Sequence, residues 1–195
     1  MKKLSLSILT IAVVIGFLNG CKKGDGDPAL SLLSRKARVA GDWKLSSGEG
    51  TNTSANKTTT WTIAGGIYSG TSGNNGTYSM TLKTTKDGKF TRVTTYSFGV
   101  GTFNISSQVT EDGTWNFNSG SGDLKKKSQL VLQTLTKTQI DTPPGKTATY
   151  TYTGLSAPLD VWDIYELKSK EMVLKQKGST TSPSSSHDDT YTLTQ

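Results

Sequence analysis

Among its 195 residues the chain has one cysteine, Cys21, and one histidine, His187, and these two scarcities remove several kinds of chemistry together. A lone cysteine allows no internal disulfide, so the folded part must hold by packing. Clustered Cys and His metal sites are excluded by number, and no cofactor is expected. His187 stands in a serine-rich stretch beside Asp188 and Asp189, a fragment of a metal site at most. A catalytic triad needs its histidine pre-organised beside a nucleophile and a carboxylate, so a solvated loop histidine is expected instead. Phosphate-binding glycine loops that open a helix are missing, and so is any nucleic-acid motif. Paired carboxylates for glycoside cleavage could form if Asp160, Asp163 and Glu166 met others across strands, but Asp163 and Glu166, three apart on a strand, are expected to point to opposite faces. The expectation is a protein that is not an enzyme. Helical periodicity is scarce as well: from Val39 onward no segment sustains a 3.6-residue period for three turns.

What is present begins with Lys2 and Lys3, followed by an apolar run from Leu4 to Leu18 that is too short for a transmembrane span and suits a secretory signal. The run leads through Leu18-Asn19-Gly20 into Cys21, which resembles the lipobox of bacterial lipoproteins, with Asn19 a departure from the small or apolar residue commoner there. The resemblance implies that the Cys21 thiol takes a diacylglycerol, that residues 1–20 are removed, and that two or three acyl chains hold the protein on a bilayer. Loss of Lys2 and Lys3 lowers the formal charge from +7 to +5, and only Lys125-Lys126-Lys127 forms a basic run, expected as a solvated turn. Residues 21–34 then form a charged tether and the start of a short helix, expected over Ala29 to Lys36.

Residues 35–195 are expected to form one all-β domain. Tyr78, Met80 and Leu82 alternate with polar residues, as do Ala148, Tyr150 and Tyr152 with a row of threonines. Asp87-Gly88 and Asp112-Gly113 are each followed, after one intervening residue, by an aromatic residue, and both predict tight reversals. A third reversal is expected at Lys168-Ser169-Lys170, and a closing strand over Asp189 to Gln195 with Tyr191 and Leu193 on one face. Segments 47–56, 65–76, 141–146 and 178–188, rich in Gly, Ser, Thr and Asn, predict long polar loops. Up to eleven strand runs can be counted, and periodicity alone allows either two packed sheets or a closed barrel.

Gly41-Asp42-Trp43, after a short helix, resembles the Gly-x-Trp opening of lipocalin-like domains. The Asp-Gly turn at 87–88, Gly113-Thr114-Trp115, the Gln129 to Leu132 strand and the Leu167 to Leu174 hairpin follow in the order seen in lipocalin-like lipoproteins of Bacteroidetes. The resemblance implies an antiparallel up-and-down β-barrel of about 8 to 10 strands, with Gly41, Trp43 and Trp115 structural. It also implies a cavity for a small apolar molecule, a haem-like ligand or a lipid. In typical lipocalins an arginine near the last strand covers the tryptophan; here the last strand has none.

If Trp43 points inward, so do Leu45, Tyr78, Met80, Leu82 and Phe90. Trp115, Phe117, Leu130 and Leu132 belong to the same inward set, with Tyr150, Tyr152, Met172 and Leu174. These side chains either fill the barrel or line a cavity. Arg92 shares strand parity with Phe90, Tyr96 and Phe98 and is either a binder of a carboxylate or phosphate head, aided by the hydroxyls of Tyr78, Tyr96, Tyr150 and Tyr152, or a cation-π partner of Tyr96 or Phe90, or turned out by a bulge. The leading expectation is a binding protein held through Cys21 to the outer membrane, on its periplasmic face or at the cell surface, carrying a small hydrophobic or amphipathic ligand. The alternative is an interaction module with a filled barrel, contacting an envelope protein or glycan through its loops.

Overall fold

The computed structural model describes residues 33–54, 57–73, 75–100, 103–119, 128–142, 146–181 and 184–195. Cys21, the leader, most of the tether and the Lys125 run lie outside the described residues. The helix, α1 (Arg35–Val39), starts after Ser34, which caps it by accepting from the Ala37 N–H at 3.1 Å, and runs past Lys36 to Val39; the expected helical residues before Leu33 lie outside the described residues. Eleven antiparallel strands follow: β1 (Gly41–Ser54), β2 (Lys57–Ala64), β3 (Ile67–Gly70), β4 (Asn75–Thr84), β5 (Lys89–Val100), β6 (Phe103–Ser119), β7 (Ser128–Thr142), β8 (Lys146–Thr151), β9 (Leu159–Leu167), β10 (Glu171–Thr181) and β11 (Ser184–Thr194). Nearly every strand pairs with its sequence neighbour, β1 pairs with β11, and β6 with β7, so ten strands close a barrel and β8 is an extra strand on β7. Among the described residues the architecture is the antiparallel barrel with one short helix expected above, and it decides between the closed barrel and the two packed sheets that alternation left open.

The barrel changes width along its axis. Near α1, residues 41–44 of β1 pair directly with 81–84 of β4, giving eight strands around. Beyond the irregularity between Leu45 and Ser47, β1 leaves β4 and pairs with β2, and the β2–β3 hairpin fills the fork. Gly65 and Gly66, with φ of 57° and 80°, form the hairpin turn inside that fork, and the Tyr78 N–H donates to Gly66 O at 2.9 Å. The result is a narrow base and a mouth two strands wider.

The base is filled. Trp43, Leu82, Leu130, Leu167, Met172 and Leu193 are each no more than 2 % exposed, and Leu45, Phe117 and Tyr78 pack against this core. Trp43 Nε1 donates to Val39 O at 2.8 Å, and Trp115 Nε1 to Thr85 O at 2.9 Å, so both indoles bury their rings and satisfy their N–H groups at this end. The buried arginines here come from α1. Arg35 donates to Ser128 Oγ at 2.7 Å, and Arg38 donates to the carbonyl of Leu167. The helix thereby ties itself to β7 and β9 and supplies the cations that the last strand lacks.

Several local expectations are corrected. Asp87-Gly88 is a turn, with Gly88 at φ 85°, but Asp112-Gly113 lies inside the long β6, where the pairing with β7 shifts register. Segment 178–188 is mostly the paired ends of β10 and β11, and 47–54 is paired strand of β1, because their Thr and Ser residues ladder across strands. His187 therefore sits on β11 opposite Asn52 and Gly178 rather than in a loop. Asp163 and Glu166 do not face opposite ways. Tyr165 is skipped in the β9–β10 register, so Glu166 opposite Val173 and Asp163 opposite Lys175 share the outer face. Tyr150 and Tyr152 are not in the packed interior: Tyr150 is on β8 and 49 % exposed, and Tyr152 follows the end of that strand. Among the described residues β8 pairs only with β7, at the edge of the sheet, which leaves Tyr150 accessible.

Candidate ligand-binding site in the barrel interior

Above the filled base, strand alternation brings Arg92 of β5, Glu111 of β6 and Asp160 of β9 onto inward faces. Arg92 pairs with Glu111 in the β5–β6 register, while Asp160 arrives with β9, opposite Leu132. Arg92 Nε donates to Glu111 Oε2 at 2.7 Å, and Nη2 donates to Asp160 Oδ2 at 2.6 Å. The Arg92 and Glu111 side chains are 12 % and 14 % exposed, Asp160 35 %. Burial works against the guanidinium charge, but Asp160 and then Glu111 outweigh it and hold the Arg92 pKa above its ordinary value. Arg92 is thus inward but engaged by two carboxylates, an arrangement outside the three roles weighed from sequence. Glu111 and the pairing with Asp160 carried no local signal, since the partners are 19 and 68 residues away.

Around this ion cluster stand Tyr78 and, toward the mouth, a continuous set of rings. Trp162 meets Tyr191 edge-on at 5.1 Å, Tyr191 is tilted against Trp61 at 5.4 Å, Trp61 stacks on Tyr68 at 6.1 Å, Tyr68 meets Phe98 at 5.3 Å, and Phe98 lies 5.7 Å from Tyr96. Tyr68, Tyr96, Phe98 and Tyr191 keep part of their surface accessible. Gly48 and Gly50, inward on β1, make room for this wall: a Cβ at Gly50 would lie 2.6 Å from the Trp61 ring and 2.2 Å from Asp189 Oδ1. Burial raises the pKa of Tyr78 despite the opposing Arg92 charge, and burial with Tyr78 and Asp189 nearby raises that of Tyr191, so both phenols stay neutral donors.

Asp189, on β11 opposite Gly50, has a buried Oδ1 with no hydrogen-bond partner among the described residues. Desolvation raises its pKa, and His187 and the Trp61 indole offset only part of that. An acid whose folded pKa lies above its unfolded value binds more protons when folded, so this residue's contribution falls as pH rises from about 3.8 through the folded value. Asp189→Asn is therefore expected to raise the thermal midpoint slightly at pH 7, by an amount that vanishes below pH ~3.8. Parallel melts of the two proteins at pH 3.5 and 7 check this, and an equal difference at both would contradict it.

Comparison with known protein families, curated proteins and solved structures finds no match to this chain. The site is consequently defined by its own geometry: an antiparallel barrel, closed at one end, holding a salt-bridged cluster beneath an aromatic mouth.

Proposed function

We propose that this protein is a lipid-anchored envelope binding protein of lipocalin-like type that carries a small hydrophobic or amphipathic ligand in its barrel and does not transform it. The observation that carries the reading is the widened mouth, where accessible inward rings stand above a polar cluster while the base is packed solid. Apolar walls with few convergent polar groups are the usual composition of a small-molecule site. The hydroxyls of Tyr78 and Tyr96 add to the few polar groups of the wall, and Arg92 holds the carboxylates in place. The signal sequence and Cys21 support attachment to the outer membrane, on the periplasmic face or at the cell surface.

The expected result is a stoichiometric small molecule released by organic solvent from protein purified from its native host, identified by mass spectrometry. The same molecule is expected from a Cys21→Ala form recovered as a secreted protein. An empty barrel in both forms would favour the second reading, an interaction module. That reading is supported by Leu155, Leu159 and Val161, which are 107 %, 61 % and 41 % exposed on β9 and the turn preceding it.

A further inference from the structure

The chain as a whole carries a formal charge of +7, yet acids stand on the inward faces of the barrel as well. Glu111, Asp141, Asp160 and Asp189 share those faces with Arg92 and Lys137, with Lys146 opposite Asp141, and with His187, two residues before Asp189 on β11. Arg92 is neutralised twice over, so the Arg92, Glu111 and Asp160 cluster keeps a net negative charge. Its most accessible member is also negative: Asp160 is 35 % exposed against 12 % and 14 %, and only its Oδ2 is engaged, leaving Oδ1 without a protein partner among the described residues. A carboxylate or phosphate head reaching this level would meet like charge before it met the guanidinium. A cation would meet the free oxygen of an aspartate held rigid by Arg92.

The rings complete the argument. Trp162 follows Asp160 on the inward face of β9, its ring is 5.1 Å from Tyr191, and Tyr191 leads on to Trp61 at 5.4 Å. Trp162 Nε1 is buried and unpartnered, so the indole is held by ring packing rather than by its N–H. Aromatic faces beside a carboxylate attract an ammonium group through the ring quadrupole, most strongly where water is excluded. Higher in the mouth Asp189 adds a second carboxylate with an unpartnered oxygen against Trp61.

We propose that the polar end of the ligand is a cation, an amine or quaternary ammonium on an apolar body, held between Asp160 and the rings of Trp162 and Tyr191. This rests on the carrier reading and narrows it to one charge class. The test is titration of intrinsic tryptophan fluorescence at pH 7 with dodecylamine, dodecyltrimethylammonium, dodecanol and dodecanoate, each kept below its micelle concentration. Both cations are expected to bind about tenfold or more tighter than dodecanoate, with dodecanol between. Asp160→Asn is expected to lower cation affinity about tenfold toward that of dodecanol and to leave dodecanol unchanged. Dodecanoate binding as tightly as the amines in the wild-type chain would overturn the assignment, whatever the variant does. A folded Asp160→Asn protein that keeps the full cation preference would also overturn it. Failure of all four probes to bind would remove the carrier reading and this inference with it.

Discussion

Gly113→Ala is expected to cost about 3 kcal/mol or more, enough to lower the thermal midpoint by roughly 6 to 12 °C in a domain of this size. A Cβ built at Gly113 lies 2.0 Å from the carbonyl oxygen of Gln133 and 2.9 Å from both the Gln133 carbonyl carbon and Phe90 Cε1. Two of those three atoms are backbone of the adjacent strand, so no rotamer change relieves the contact. Relief requires β6 and β7 to separate where their register shifts, and that pairing is the one that closes the ring. Gly99→Ala, in the same sheet, is the matched control, because its Cβ would meet only Asn104 Oδ1, at 3.5 Å. It is expected to stay within about 0.5 kcal/mol of the parent. Urea and thermal denaturation of both variants check the contrast, and equal stability would show that the strands can part cheaply.

Arg92→Met is expected to destabilise the barrel by about 3 kcal/mol at neutral pH, the lower end of the range for breaking a buried pair because Asp160 retains some solvent. The methionine fills the volume but leaves Glu111 and Asp160 facing each other without a cation. The two carboxylates then repel each other with no cation between them, so the loss relative to the parent is expected to be larger at neutral pH than in acid, where carboxylates are neutralised. Adding Glu111→Gln and Asp160→Asn to Arg92→Met removes the uncompensated charge and is expected to restore most of the loss at pH 7. Denaturation midpoints of the three proteins from pH 4 to 8 decide the matter. A pH-independent loss in Arg92→Met, unrelieved in the triple variant, would mean that side-chain packing rather than charge holds this layer together.

Legibility differed residue by residue. Trp43, Met80, Leu82, Trp115, Leu130 and Leu174 were recognisable as core, because alternation on a half-buried strand is a local property and all six are buried. Asp87-Gly88 and Asp112-Gly113 were indistinguishable, yet only the first is a turn. What makes residue 113 a glycine is the approach of Gln133, from a strand paired across the closing seam. Asp163 and Glu166 were assigned opposite faces by counting, which the bulge at Tyr165 defeats. The polar tracts at 47–54, 178–181 and 184–188 lacked an apolar face and so suggested loops, but neighbouring strands pair with them in continuous register.

For the site, parity set Tyr78 with the inward apolar residues of its strand and put Arg92 and Tyr96 on one face with Phe90, leaving the direction of Arg92 open, while the resemblance to lipocalin-like domains marked Gly41 and Trp43 as structural. Composition excluded disulfides, and alternation with frequent turns determined an antiparallel β-domain with one short helix. The carboxylates that engage Arg92, the ring wall from Trp162 to Phe98, and the removal of Tyr150 to an outer strand were decided only by the tertiary structure. The physical reason is that strand periodicity fixes which face a side chain takes, a matter of its nearest neighbours along the chain. Which side chains meet across a barrel depends on register, bulges and the insertion of the β2–β3 hairpin, and those are set by pairings between distant strands.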